Sequence, residues 1–269
     1  MTKAFLLKSF FAIALTAILT SCNQTPKTAQ ETDGATAEVA DTNATTGENA
    51  PANTLSEQEK LEGWELLFDG TSLNGWHSFG TQTVGARWKV ADGTIMLDPS
   101  TPKPEGEVDS DIATANEYGD FELRLKWKID TCGNSGIIYR ATEAPKYKTA
   151  WETGPEMQLQ DDQCDPARNS EKHNVGDLYD VVVATNKPVK PALEWNEARV
   201  VAKGNHVEHW LNGNKILEAE LGTDEWKKMV AASKWKAYPD FSLPRQGRIV
   251  LQEHGSRVWF RNVKIRKIG

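Results

Sequence analysis

Glu156, Gln158 and Gln160 recur at every second position of GPEMQLQDD, so a strand there presents all three on one face. That face holds one carboxylate and two amides. Hydrolysis of an unactivated glycoside calls for two carboxyl groups, and this strand supplies one unless Asp161 or Asp162 swings in. A single carboxylate suits proton transfer. LQEHG repeats the spacing with Gln252 and His254, the latter beside a turn glycine. An imidazole at a strand end can serve as a base near neutral pH, although a lone surface histidine reads the same way. GNSGIIYR offers Asn134, Ser135, Tyr139 and Arg140; the arginine either stabilises an oxyanion or closes a surface ion pair. In HVEHWLNG, His209 alternates with Val207 and Leu211, which points it inward. His173, Tyr179 and Trp195 are candidates for a cleft mouth. The sequence carries no His/Cys spacing typical of a metal site, no glycine-rich phosphate loop and no GxSxG elbow.

Strands must position these groups. FELRLKWKID alternates: Phe121, Leu123, Leu125, Trp127 and Ile129 on one face, and Glu122, Arg124, Lys126, Lys128 and Asp130 on the other. CGNSG then turns the chain into GIIYR, and GPEMQLQDD follows after a loop holding Trp151. WELLFDG opens the fold. RWKVADGTIMLD reads as a hairpin turning at Asp92-Gly93. EARVVAKGNHVEHWLNGNKILEAE gives three strands joined at Gly204-Asn205 and Asn212-Gly213. TDEWKKMVAASK is the one helix, with Thr223 as its N-cap. RIVLQEHG and VWFRNVKIRKI read as a closing hairpin. Many short strands, turn signals between them and one short helix predict an all-β sandwich.

The chain has 269 residues, a formal charge of −7 and ten tryptophans. That length supports one large β domain with a sizeable core. Without a basic stripe the acidic balance argues against nucleic acid as a partner. Lys3 and Lys8 precede an apolar run from Phe10 to Leu19, too short to span a membrane and suited to a signal peptide. Leu19-Thr20-Ser21-Cys22 has the form of a bacterial lipobox. Residues 1–21 are thus predicted as a lipoprotein signal peptide with Cys22 lipidated, placing the protein in the cell envelope. Residues 22–58, rich in Thr, Ala and acidic side chains, read as a disordered tether. Residues 59–269 form the domain. Cys132 and Cys164 are either a disulfide or two free thiols.

Taken in order, WELLFDGTSLNGW, FELRLKWKI with GNSGIIYR, EMQLQDD, GDLYD, EWNEARVVAKGNHVEHWLNGNKI and RIVLQEHGSRVWFRNVKIRKI resemble the 3-keto-disaccharide hydrolase family, also described as 3-keto-glucoside 1,2-lyase/3-keto-2-hydroxyglucal hydratase. The resemblance covers roughly residues 61–268. Where the family ends on Gln-Asp-His-Gly, this chain has Gln252-Glu253-His254-Gly255. The resemblance implies a concanavalin/glucanase-like jelly-roll fold and cleavage of 3-keto-glycosides. The C3 ketone acidifies the C2 hydrogen, a base removes it, the C1 group leaves, and water adds back. This route needs a base, an acid and an enolate stabiliser rather than a nucleophile–acid carboxylate pair. On that reading Glu156 and His254 are the acid and base and Arg140 stabilises the enolate, or a divalent metal on Glu156 and His254 replaces it. Asn134, Ser135, Tyr139, Gln158, Trp195, His209 and Gln252 position the sugar. The expected partners are a glycoside or oligosaccharide substrate and, through the lipid anchor only, a membrane. A non-catalytic carbohydrate-binding module and a conventional β-glycanase are the alternatives.

Overall fold

The computed structural model describes residues 51–103, 105, 111–164 and 172–269, which lie in one compact unit, Gly47–Gly269. The expected signal peptide, the lipidated Cys22 and most of the expected tether lie outside the described residues.

Thirteen strands are described: β1 (Trp64–Leu66), β2 (Trp76–Ser78), β3 (Trp88–Ala91), β4 (Thr94–Leu97), β5 (Ile112–Thr114), β6 (Phe121–Ile129), β7 (Asn134–Ala141), β8 (Glu156–Gln160), β9 (Asn196–Lys203), β10 (His206–Leu211), β11 (Asn214–Glu220), β12 (Arg248–Leu251) and β13 (Val258–Lys267). They form two antiparallel sheets. The larger runs β11-β10-β9-β6-β13-β4-β3, with β1 also on β13; the smaller runs β2-β5-β12-β7-β8. This is the expected all-β, jelly-roll sandwich.

Side-chain alternation explains the layers. Phe121, Leu123, Leu125, Trp127 and Ile129 of β6 are buried between the sheets against Ile137, Met157, Leu159, Ile249 and Leu251. Full burial of a large apolar side chain contributes roughly 1.5–3 kcal/mol before ordering costs. The turn residues are as their sequences require: Asp92 and Gly93 both have positive φ, 49° and 67°, as do Asn212 and Gly213 at 47° and 85°. Two left-handed residues in succession make the hairpin turn whose twist matches the strands it joins.

Four sequence expectations change. RIVLQEHG and VWFRNVKIRKI are not a hairpin, because β12 belongs to the smaller sheet and β13 to the larger. Each strand is apolar enough to sit mid-sheet, and local pattern says nothing of which sheet it joins. The segment TSLNGWHSF, which carries no strand alternation and reads as loop, holds a strand, Trp76–Ser78, at the edge of the smaller sheet. A second helix, α1 (Glu57–Leu61), precedes α2 (Asp224–Ala231); Ser56 and Glu59 close a reciprocal capping box at its start. The fold also begins before residue 59. The backbone N–H groups of Asn53 and Asn262 each donate to the other's side-chain oxygen, at 2.7 and 2.8 Å, and the Asn53 amide donates to Gly93.

Candidate active site on the smaller sheet

The face of the smaller sheet turned away from the core carries Glu156, Gln158 and Gln160 on β8, as their alternation with core residues Met157 and Leu159 demands. Strand register sets their neighbours. Glu156 pairs with Ile138, and Ile138 with Val250, which pairs with Ala113. Phe79, Ala141 and Ala150 pack with these apolar residues into a second small cluster, and Gly154 lies against Ile138. Segment 142–154 therefore plugs this row. The next row is open and polar: Gln158 opposite Gly136, then Gln252, whose N–H donates to the Gly136 carbonyl, then Asp111 beyond it on the head of β5.

Glu156 reaches into this second row. A Cβ built on Gly136 would lie 2.0 Å from Glu156 Oε1, so the glycine makes room for the carboxyl. Glu156 is only 3 % exposed, and its Oε1 has no hydrogen-bond partner, nor has Oε1 of buried Gln252. Buried polar atoms are normally satisfied, and two adjacent orphans mark a place where a ligand supplies the partners. Burial is the chief reason the Glu156 carboxyl is pushed up to about 8, with the Asp111 charge adding to it and Lys234 opposing. Asp111 accepts from the Glu253 N–H at 2.9 Å, and burial pushes its carboxyl up to about 7. Both carboxyls of this row thus have raised values, the kind of perturbation that marks candidate acid–base groups.

A polar chain continues the floor. Gln158 donates to Asn134 at 3.0 Å and to Gln160 at 3.1 Å; Gln160 donates to Asp162 at 2.8 Å. The end of this chain is covalently fixed: Cys132 and Cys164 form a disulfide with 4.9 Å between Cα atoms, and the Cys132 N–H donates to Asp161. Aromatic groups form a wall beside β8. His173 stacks on Tyr179 with ring centroids 4.4 Å apart and pairs with Asp180 at 2.8 Å. Lys234, the first residue of a 3-10 helix (Lys234–Ala237), lies over Tyr179 and Trp235 at 4.1 and 4.4 Å.

Of the residues expected from sequence, the structure brings together Glu156, Gln158, Gln160, Gln252 and Asn134, with His173 and Tyr179 on the wall beside them. The others stand elsewhere. His254 is exposed, in a recess with Arg87, Glu253 and Gly255, because β12 ends at Leu251 and the strand alternation that paired it with Gln252 stops. With His254 there, the expected two-residue metal set of Glu156 and His254 is not assembled. Among the described residues, His206, Glu208 and Glu218 come close enough to share a cation, but they are on the other sheet and Lys215 already bridges both glutamates. Arg140 is buried by a left-handed turn of its backbone, φ 54°, and is fully engaged: it donates to the carbonyls of Gly119 and Gly204 and to Asp120. It ties the sheets together and does not face Glu156. Tyr139 and His209 are wholly buried in the core, with the tyrosine hydroxyl 3.1 Å from His209 Nε2 and His209 Nδ1 donating to Gly176. Neither presents a face to a sugar. Ser135 is also interior, donating to the Gln252 carbonyl and so bracing the floor from behind. Trp195 stands by the larger sheet under Lys128 and Arg261.

Sequence reasoning missed Asp111 and Lys234. Asp111 immediately precedes a three-residue apolar strand, a weak signal. Lys234 is the last residue of TDEWKKMVAASK, which reads as one helix, whereas the helix ends at Ala231.

A jelly-roll sandwich whose open sheet carries amides, raised carboxyls and an aromatic wall is the build of a carbohydrate-active protein. The chain belongs to the 3-keto-alpha-glucoside-1,2-lyase-like domain family, whose pattern it matches over residues 63–266. It is 31% identical over 273 residues to a 3-keto-disaccharide hydrolase of Bacteroides thetaiotaomicron, covering 93% of this chain and 94% of that one. Two crystal structures from Parabacteroides distasonis, each provisionally assigned as a glycosyl hydrolase, share the architecture. One is 38% identical with a TM-score of 0.74, covering 81% of this chain and all of that one. The other is 27% identical with a TM-score of 0.58, covering 76% and 99%.

Proposed function

We propose that the protein cleaves 3-keto-glycosides by elimination and rehydration. The observation that carries this reading is the Glu156 carboxyl, buried over Gly136 with one oxygen unpartnered beside Gln252. Family membership and the name of the Bacteroides relative support the substrate class.

The pair Asp111 and Glu156 holds a single proton in the window between about 7 and about 8, the values to which burial raises them. In that window Asp111 is the ionised partner and takes the C2 proton. Glu156 is the protonated partner and donates to the departing C1 oxygen. The C1–O electron pair leaves with the aglycone as the C2 electrons form the C1=C2 bond, giving a 3-keto-2-hydroxyglucal. Water then adds its oxygen to C1, and a proton returns to C2. Gln158, Asn134 and Gln252 supply amide donors and acceptors to the sugar hydroxyls.

Asp111 also favours a second reading, conventional glycoside hydrolysis, because it restores a carboxyl pair. One experiment separates the two. The enzyme is given a glucosyl disaccharide oxidised at C3 and, separately, its unoxidised parent, in deuterated water. Elimination releases a 3-keto sugar deuterated at C2 and leaves the parent almost untouched. Comparable cleavage of the parent, or product without C2 label, refutes elimination.

We also propose lipid anchoring through Cys22, on the strength of Leu19-Thr20-Ser21-Cys22 after an apolar run. Cys22→Ala then moves the protein from the membrane to the soluble fraction of its host; unchanged attachment refutes the anchor.

A further inference from the structure

Elimination builds negative charge on the C3 oxygen, and with Arg140 committed elsewhere that charge needs a different partner. Lys234 has the required placement. Its backbone N–H donates to Asp180 at 2.7 Å, and the indole of the next residue, Trp235, donates to the Tyr179 carbonyl at 2.9 Å. The 3-10 helix is thereby fastened to the loop whose Tyr179 N–H donates to the Glu156 carbonyl. The amine lies over the rings of Tyr179, Trp235 and Trp151, at 4.1, 4.4 and 5.9 Å from their centroids. It makes no hydrogen bond or ion pair with a described residue, yet Glu156 and Asp180 are close enough to feel its charge. A cation that rests on ring faces, with carboxylates near but not hydrogen-bonded to it, keeps its N–H donors for an incoming oxygen.

We propose that the Lys234 ammonium receives the C3 oxygen of the oxidised sugar and stabilises the enolate formed when the C2 proton leaves. The contact is a charged hydrogen bond, with no bond formed to carbon. It rests on the 3-keto-glycoside reading and deepens it by naming what distinguishes an oxidised sugar from its parent. A C3 hydroxyl offers the ammonium a weaker, neutral acceptor that gains no charge during reaction. The preference for the ketone is therefore expressed mainly in the transition state.

The test isolates enolisation from cleavage. A 3-keto-1,5-anhydroglucitol has no aglycone at C1, so abstraction of the C2 proton shows as exchange of that hydrogen for solvent deuterium, which NMR follows directly. Wild-type protein is expected to catalyse this exchange. Lys234→Met lowers the rate by about a hundredfold or more, the scale of losing one oxyanion donor, and Lys234→Arg restores most of it. With a 3-keto-disaccharide the Met variant loses kcat rather than raising KM, and its melting temperature falls only slightly, because methionine keeps the apolar contact with the rings and forfeits only the cation–π attraction. Exchange by Lys234→Met within about threefold of wild type would overturn the assignment while leaving the substrate reading intact. Failure of wild type both to exchange and to cleave overturns the substrate reading, and this role with it. A borohydride-trapped sugar adduct on Lys234, seen by mass spectrometry, would also overturn the non-covalent role.

Discussion

The carboxyl of Glu156 occupies the volume that any side chain at residue 136 would fill. A Cβ at Gly136 would stand 2.0 Å from Oε1 and 2.8 Å from Cδ. Gly136→Ala leaves an ordinary strand backbone in place but drives the carboxyl away. Cleavage of a 3-keto-disaccharide is expected to fall about a hundredfold, the penalty for displacing a reacting group by an ångström or so. Kinetics beside a melting curve check this: a loss of stability without loss of activity would contradict it.

The Asp111–Glu156 pair predicts a bell-shaped dependence of kcat/KM on pH. Activity rises as Asp111 ionises near 7 and falls as Glu156 ionises near 8. Asp111→Asn removes the acidic limb and Glu156→Gln the alkaline one, each with a loss of at least about a hundredfold. A pH profile of wild type that is flat from 6 to 9, about a unit beyond either apparent value, contradicts the pair.

Stability should also respond to pH, in opposite directions at two places. His209 is held neutral by burial, its value lowered to about 4, so the unfolded chain binds a proton that the folded one refuses between about 6.5 and 4. Its contribution is present above 6.5 and lost as pH falls through that window, by roughly 3 kcal/mol. Glu156 acts the other way: its folded value is raised, so stability is full below about 4.5 and declines as pH rises toward 8. Urea unfolding across this range should show His209→Gln flattening the acidic decline and Glu156→Gln exceeding wild type above pH 8.

Residues 132 and 164 close a loop with a sequence separation of 32. Loop entropy alone sets the cost of opening it at about 3–4 kcal/mol. Cys132→Ser with Cys164→Ser should lower the melting temperature, and a reductant should lower that of wild type but not of the variant.

Arg140 and His254 make a useful contrast. Arg140→Gln strands Asp120 and two carbonyls at the sheet junction, so a loss of about 3 kcal/mol in unfolding free energy is expected, with kcat of the folded fraction retained. His254→Ala should change neither stability nor activity by more than a few-fold. A collapse of kcat in His254→Ala would return that residue to the reaction.

Strand identity was legible wherever one face is buried. The alternation of β6 and β8 puts core and site residues on their correct faces, and Glu156 with Gln158 follows from that alone. What the chain does next to a strand was not legible. The positive φ of Arg140 and the exit of the chain after Gln252 each re-aim a side chain that simple alternation would have placed in the site. Long-range pairing was equally hidden, since nothing in RIVL or VWFRNV states which sheet receives it. Lys234 was concealed by composition: KKMVAASKWK continues a helical pattern past the point where Ser233 caps a new 3-10 turn.

Asn53 has a practical meaning for anyone handling this protein. Its reciprocal bonds to Asn262, and its bond to Gly93, fasten the entering chain to strands of the larger sheet, whereas Glu156 opens from the smaller one. Cargo, dyes or a solid support joined at residue 51 would therefore enter the domain on the sheet opposite the one that carries the proposed site. Protein immobilised there is expected to keep the Glu156 face turned outward.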